Sequence, residues 1–353
     1  MKKLLIIVSG LNKGGTESFL FEYYKHLINK PLDISILSFS ENDPEVVHRF
    51  QDKGFKIIYG QKPILRSFKK FKNDFTELIK KEKFDIIHCN CNFDNAFYLY
   101  YAYKCGVPIR IGHYHDTLTN VKLGLRQKIS YTFKRHYCKK YATKSFGCSK
   151  EALKDILGDI NNGVVIENIV DSDDLRDIDS RQLEEIKKTH NLKGYKYIFG
   201  NISRFEEKKN QRFILDIFKD FLNKQPLSVL VLGGTGDCSE IKSLAEKYKI
   251  KDNVLFIGPR SDVKYWYNIF TLYLMPSLFE GFGISAVEAQ CSGCFVIASD
   301  FLPKTTDYGN IKYLPLEKQI WVEELHKKHI AQPVSYDKKE KIASFLHELV
   351  DIK

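Results

Sequence analysis

The sequence predicts an α/β protein built from two Rossmann-like domains, each a doubly wound parallel sheet. Three observations lead there. Short apolar runs alternate with longer amphipathic segments along the 353 residues. The runs lack polar alternation, which suits parallel strands covered on both faces. The pattern stops at a charged segment, 171–190, and then starts again. A chain of this length gives each of two domains enough residues to bury its own core.

In order, strands are expected at 4–8, 34–39, 56–59, 84–88, 108–113 and 145–148, with helices at 17–29, 44–53, 68–81, 95–105 and 123–141. After the charged segment come strands at 197–203, 228–232, 253–257, 271–275 and 294–299, and helices at 210–222, 237–248 and 284–291. The tail, 334–353, is amphipathic, with Ile342, Phe345, Leu346 and Leu349 on one face. The expected domains are therefore 1–172 and 173–333, followed by a helix at 334–353 that could pack back on the first.

Composition excludes several classes. No stretch approaches the roughly 20 apolar residues of a membrane span. The run Leu4 to Val8 after Met1-Lys2-Lys3 is too short for a signal peptide and reads as a first buried strand. The eight cysteines have no regular spacing. Cys291-Ser-Gly-Cys294 has neither a second pair nor nearby histidines to complete a zinc site, so reduced, structural thiols in a cytoplasm are expected. The net charge of +11 concentrates in 62–83 and 122–144, where cations mix with Phe68, Phe71, Phe75, Tyr131, Phe133, Tyr137 and Tyr141. Such faces meet anionic lipid or nucleic acid, or are simply solvated. No nucleic-acid-binding motif accompanies them, so nucleic acid is not an expected partner.

Ligands of doubly wound sheets bind beyond the carboxyl ends of the strands. Three strand-end segments carry the chemistry. The first, Gly10 to Glu17, contains Gly14 and Gly15, whose amides could approach a phosphate at a helix start; a plain tight turn is the alternative. The second places Arg204 at a strand end and Lys209, beside Lys208, at the next helix. Two such cations can clamp a diphosphate, or form a surface cluster with Glu206 and Glu207. The third is Glu280-Gly281-Phe282-Gly283-Ile284 followed by Glu288. Its helix-start amides offer an anion site, flanked by carboxylates that accept hydrogen bonds from sugar hydroxyls.

Glu280 and Glu288, eight positions apart around Gly-Phe-Gly, resemble the two-glutamate signature of the family-4 retaining glycosyltransferases, which have the GT-B fold. The Gly-Gly-x-Glu turn, Arg204 and Lys209 before Asn210, Gly233-Gly-Thr-Gly236-Asp237 and Gly258-Pro-Arg260-Ser-Asp262-Val263 follow in the family's order. Within the family the chain looks most like enzymes of capsular and exopolysaccharide synthesis. The resemblance implies two domains facing each other across a cleft. It implies that Arg204 and Lys209 neutralise the donor pyrophosphate with the Gly15 amide, and that Glu288 binds ribose. Glu280, with amides of Phe282, Gly283 and Ile284, would contact the donor sugar, as would His113 or His115 in Arg110-Ile-Gly-His-Tyr-His-Asp116. Backbone near Arg260 would border the base. The phosphate loop around Gly234 lacks the family's commoner Gly-x-Gly-Pro form, and 168–171 reads Asn-Ile-Val-Asp where Asn-Gly-Val-Asp is usual.

The implied activity is metal-independent, retaining transfer of a hexose from a nucleoside-diphosphate sugar, UDP-linked, to a glycan or polyprenyl-diphosphate-linked acceptor. The nucleotide sugar is a substrate, and no cofactor is expected. Asp171-Ser-Asp173-Asp174 resembles a metal-binding Asp-x-Asp motif but falls in the expected linker. The basic stretch 122–144 suggests peripheral docking on the inner, anionic face of the cell membrane. Two alternatives stand beside this reading: a GT-B sugar-nucleotide epimerase, which needs no acceptor, and a non-catalytic nucleotide-sugar-binding scaffold.

Overall fold

The computed structural model describes residues 1–350 except 13, 29, 30, 41, 118–123, 159, 161, 162 and 335. Residue 13 of the glycine-rich turn, the start of the second basic stretch at 122–123 and the tail residues 351–353 therefore lie outside the described residues. The chain forms two compact units, Met1–Ile169 with Lys338–Lys353, and Val170–Asp337.

The first unit runs β1 (Lys2–Val8), α1 (Gly15–Tyr24), β2 (Leu32–Ser38), α2 (Pro44–Asp52), β3 (Lys56–Tyr59), α3 (Phe68–Glu82), β4 (Ile86–Asn90), α4 (Asn95–Lys104), β5 (Ile109–Tyr114), α5 (Leu125–Tyr141), β6 (Lys144–Gly147), α6 (Lys150–Leu157) and β7 (Gly163–Val165). Its strands pair in the order β3-β2-β1-β4-β5-β6-β7, and every pair is parallel. Leu4, Leu5, Ile6 and Ile7 of β1 are wholly buried, as a strand covered on both faces must be. Helix starts follow local capping chemistry: the Asp43 carboxylate accepts from the Glu45 and Val46 amides ahead of α2, with Pro44 as its first residue.

The second unit runs α7 (Ser172–Arg176), α8 (Ser180–Thr189), β8 (Tyr197–Ile202), α9 (Gln211–Leu222), β9 (Ser228–Gly233), α10 (Ser239–Lys247), β10 (Val254–Gly258), α11 (Val263–Ile269), β11 (Leu272–Met275), α12 (Ile284–Cys291), β12 (Val296–Ser299), β13 (Ile311–Leu314) and α13 (Lys318–Leu325). Its strand order is β10-β9-β8-β11-β12-β13, again all parallel. The expected fold class is present in both units. The charged segment, left without elements in the sequence reading, contains α7 and α8, each started by an aspartate cap, Asp171 and Asp179. In α8 only Ile186 is buried, so hydrophobic periodicity was too sparse to mark it.

The final helix, α14 (Lys338–Val350), belongs to the first unit. Phe345 and Leu349 are fully buried. The Phe345 ring lies 4.5 Å from Tyr23 and 5.4 Å from Tyr24. Lys144 donates to the carboxylate and backbone carbonyl of Glu348, and Lys341 pairs with Glu167.

In both sheets the strand order reverses once, between β1 and β4 and between β8 and β11. A crevice opens at the carboxyl end of such a switch point. Arg204–Lys209 follows β8 and Glu280–Gly283 follows β11, so both segments flank the second unit's switch point.

Candidate active site

In the second unit the two segments are tied together. Lys209 Nζ lies 2.5 Å from Glu280 Oε1, with side-chain exposures of 14% and 8%. The Leu278 amide donates to the Lys208 carbonyl at 2.8 Å, and Asn210 Nδ2 donates to the Pro276 carbonyl at 3.1 Å. Asn210 sits in the left-handed region at φ 55°, which asparagine tolerates better than most residues. Lys208 is directed elsewhere, 5.5 Å from the Phe279 ring, so Lys209 is the lysine that meets the glutamate. Arg204 is half exposed and pairs with Glu206 at 2.7 Å, the partner of the surface-cluster alternative.

The neighbouring turns pack by backbone. At Gly234, φ is +136°, and an added Cβ would stand 1.8 Å from the Ser203 carbonyl oxygen. The Gly234 amide donates to the Gly258 carbonyl at 2.8 Å, and the Phe205 amide donates to the Thr235 carbonyl at 2.8 Å. The turns after β8, β9 and β10 thus form one layer. The Arg260 guanidinium is committed to Asp262, with Nε 2.7 Å from Oδ1. Its backbone, rather than its fork, remains to border a ligand.

After β11, Gly283 caps α12 in the left-handed conformation at φ 96°. Phe282 is buried under the turn. The first-turn amides of Ile284 and Ser285 have no intrahelical partner by construction, and the helix dipole makes that end attractive to an anion. One turn on, Glu288 accepts a hydrogen bond from the Tyr267 hydroxyl at 2.9 Å. Burial pushes that phenol well above its ordinary range, so it stays a donor.

In the first unit, Gly14 caps α1 with φ −161°, an extended angle open to any residue, so its backbone does not demand glycine. Gly15 is the first residue of α1. After β5, the rings of His113 and His115 stack with centroids 4.2 Å apart. His113 is fully buried and its Nδ1 lies 3.1 Å from His88 Nε2; His88 Nδ1 in turn bonds the Tyr24 hydroxyl. The sequence expectation that either histidine could meet a sugar is thus narrowed: His113 offers no surface, whereas His115 is half buried. Burial, reinforced by His115, pushes His88 down to about 3. Burial, with His115 and His88 adding repulsion, drives His113 well below its ordinary value.

Three asparagines from the end of β4 to the start of α4, unremarked in the sequence reading, brace this strand end. Asn90 Oδ1 is 2.8 Å from His115 Nε2, Asn92 Oδ1 accepts from the His115 amide at 2.8 Å, and Asn95 Nδ2 donates to the His113 carbonyl at 2.9 Å. Their signal was the cluster itself, His88-Cys-Asn-Cys-Asn-Phe-Asp-Asn95, at a strand end beside a switch point.

The buried histidines make the first unit acid-labile. Unfolded histidines titrate near 6.5, so below that pH the unfolded chain binds more protons than a folded unit holding His88 and His113 neutral. Stability present above about pH 6.5 is lost as the pH falls toward His88's value of about 3. At about 1.4 kcal/mol per pH unit below 6.5, His88 should remove about 2 kcal/mol between pH 7 and pH 5, and His113 adds to the loss in the same direction. Urea unfolding at the two pH values checks this. Equal midpoints for the first unit's transition would contradict it.

Two other sequence features have structural roles here. Cys291 and Cys294 are buried, and burial pushes both thiols up to about 12, the behaviour of inert structural cysteines. Asp171 caps α7, and Asp174 pairs with Lys264 at 2.9 Å.

Comparison with known proteins agrees with this arrangement unit by unit. Residues 13–174 match the family model "Glycosyltransferase Family 4", and residues 182–308 match "Glycosyl transferases group 1". The chain is 25% identical over 323 residues to the "Putative glycosyltransferase EpsF" of Bacillus subtilis (strain 168), covering 87% of this chain and 82% of that protein. It is 22% identical to the capsular polysaccharide biosynthesis glycosyltransferase CapH of Staphylococcus aureus, covering 85% and 82%. Among solved structures, HepE from Anabaena in complex with UDP and glucose shares the fold, with a TM-score of 0.79 at 15% identity over 92% of this chain and 89% of that one. With one model in each unit, the chain belongs to the GT-B glycosyltransferases whose first unit is of the family 4 type and whose second is of the group 1 type.

Proposed function

We propose that this glycosyltransferase moves a hexosyl group from a UDP-sugar, with retention of configuration and without a metal ion, to a glycan or polyprenyl-diphosphate-linked acceptor of surface polysaccharide synthesis. The observation that carries the donor side is the Lys209–Glu280 pair, which joins the turns after β8 and β11 beside the start of α12. A departing nucleoside diphosphate gains negative charge, and Lys209, Arg204 and the α12 amides would meet it where it develops. That is the work a divalent cation does elsewhere, so activity is expected to survive a chelator. Glu280 would hold the sugar's hydroxyls, Glu288 the ribose, and the Gly234 and Arg260 backbones the rest of the nucleotide. HepE's complex with UDP and glucose supports a uridine donor, and CapH's role in capsular polysaccharide supports the acceptor class.

The test is thermal stability against a panel of nucleotides and nucleotide sugars without metal. A ligand at 100 times its dissociation constant adds about 2.7 kcal/mol. Stabilisation by UDP, with sugar transfer that requires an added acceptor, is the expected result. Turnover of the nucleotide sugar with no acceptor would instead favour an epimerase. Binding without turnover under any condition would favour a scaffold.

The acceptor side is proposed to meet an anionic membrane surface through α5. Its inner face stacks Tyr131 on Phe93 at 4.2 Å and buries Cys138. Its outer face exposes Leu125 by 75%, Ile129 by 63% and Phe133 by 49%, at four-residue spacing. Arg126, Lys128, Lys139 and Lys140 are exposed on the same helix, which has no acidic residue, whereas Lys134 pairs with Asp94 and Arg135 donates to the Asp155 and Ile156 carbonyls. Apolar residues flanked by cations suit an anionic headgroup layer. Flotation with anionic liposomes should carry the protein at low salt, and Ile129→Glu should cut the bound fraction about tenfold. Equal flotation of the variant would sink the idea.

A further inference from the structure

One ridge of α5 changes its chemistry along its length. Leu125, Ile129, Phe133, Tyr137 and Tyr141 recur at every fourth residue and so share one side of the helix. The first three are exposed apolar side chains, whereas the last two are half-buried phenols. At that end α4 completes a terrace. The Tyr100 ring lies 5.3 Å from Tyr137 and 5.1 Å from Tyr141, and Tyr103 lies 5.2 Å from Tyr141. The rings are tilted or edge-on to one another, and Tyr103, at 50%, is the most exposed of the four. Their hydroxyls have no hydrogen-bond partner among the described residues, and those of Tyr100, Tyr137 and Tyr141 are open to solvent.

Cations rim the terrace. Lys104 Nζ is 5.8 Å from the Tyr100 ring, Lys140 Nζ 5.6 Å from the Tyr141 ring, and the Arg110 guanidinium 5.5 Å from the Tyr103 ring. None of the three has a carboxylate partner among the described residues. The local charge offers none: between Asp94 and Glu151 the chain has one acidic residue, Asp116. Arg110 is also fixed in place. Its Nε donates to the Tyr141 carbonyl at 2.8 Å, and its Nη1 to the Val107 and Pro108 carbonyls at 2.5 and 3.1 Å, which leaves Nη2 for a ligand.

We propose that this terrace is a second glycan site, which binds an acidic saccharide chain away from the place of sugar transfer. A pyranose has an apolar C–H face that lies against an aromatic ring and hydroxyls that bond phenols. A carboxylate or sulfate on the sugar takes the anchored guanidinium. A membrane surface takes protruding apolar side chains and mobile lysines, whereas these rings are packed down and the arginine is held. The terrace stands where α4 and α5 end, beside the starts of β5 and β6. That edge of the sheet is opposite the carboxyl ends at which ligands of the fold bind.

Titration calorimetry of the whole chain with hexagalacturonate at physiological salt tests the proposal. Maltohexaose supplies a neutral chain, and poly-glutamate a polyanion without sugar rings. Hexagalacturonate should bind, with both controls at least about tenfold weaker. Tyr103→Ala and Lys104→Glu, both at exposed positions, should each weaken it about tenfold. Ile129→Glu should leave it unchanged, and Tyr103→Ala should leave liposome flotation unchanged. Absence of binding by the parent, equal binding of poly-glutamate, or unchanged affinity in both terrace variants would overturn the proposal. Flotation lost in Tyr103→Ala would give the terrace to the membrane instead. A dimer in sedimentation that Tyr103→Ala dissociates would give it to a second copy of the chain.

Discussion

Lys209→Ala is expected to lower kcat/KM by about 100- to 1,000-fold, the usual cost of removing one preorganised charge from a developing anion. It should also destabilise the second unit. Lys209 and Glu280 are 14% and 8% exposed, and the truncation leaves the glutamate as a buried carboxylate without its cation. Breaking such a pair from one side costs about 3–5 kcal/mol. The two effects separate in the double variant Lys209→Met with Glu280→Gln. It removes both charges and keeps the side-chain volumes, so stability should return while activity does not. Denaturant midpoints and initial rates on the same preparations check both halves. A single variant that melts early yet turns over normally would place Lys209 in the architecture and outside the chemistry.

Gly234→Ala should be the most damaging single-methyl change in the second unit, on the order of 4 kcal/mol or more, because the backbone itself must move. Its Cβ would stand 1.8 Å from the Ser203 carbonyl oxygen, at a φ of +136° that side chains avoid. Gly283→Ala is the control. That residue also has a positive φ, 96°, but the nearest atom to an added Cβ is a leucine methyl at 3.4 Å. Only the backbone angle penalises it, by about 1–2 kcal/mol. The predicted order, measured by chemical denaturation, is Gly234→Ala far below Gly283→Ala, and Gly283→Ala somewhat below the parent. Similar midpoints for the two variants would mean that the layered turns can separate cheaply.

The fold was legible because its signal is local. A strand buried on both faces, such as Leu4 to Ile7, shows itself as an unbroken apolar run, and the crossover helices show their own period. What escaped were elements with little apolar content or little length: α8, with its single buried residue, the helices α6, α7, α11 and α13 of five to eight residues, and the three- and four-residue strands β7 and β13. The donor-side candidates were legible for the same reason. Glu280, Gly283 and Glu288 lie within nine residues of one another, so one segment carries the motif. The support of His115 was not. Tyr24 comes from α1, His88 and Asn90 from β4 and His113 from β5, and only the pairing of β4 with β5 and the packing of α1 bring them together. No spacing rule in a single chain encodes that. The sequence reading also treated Arg204 and Lys209 alike, whereas the structure commits one to Glu206 on the surface and the other to Glu280 within.

The return of α14 to the first unit has a consequence for biogenesis. That unit is assembled from two separated stretches of chain, and the second unit is one uninterrupted insert between them. During synthesis the insert can complete its own sheet as soon as it emerges. Meanwhile the rings of Phe19, Tyr23 and Tyr24 in the earlier unit lack the Phe345 side chain that packs against them. The first unit holds all seven of its strands before the insert is made, yet it is completed last, and until α14 emerges it carries an uncovered aromatic surface for the time taken to translate about 170 further residues. A ribosome stall or a truncation between the insert and Phe345 would produce the same species: a finished second unit tethered to an aggregation-prone partner.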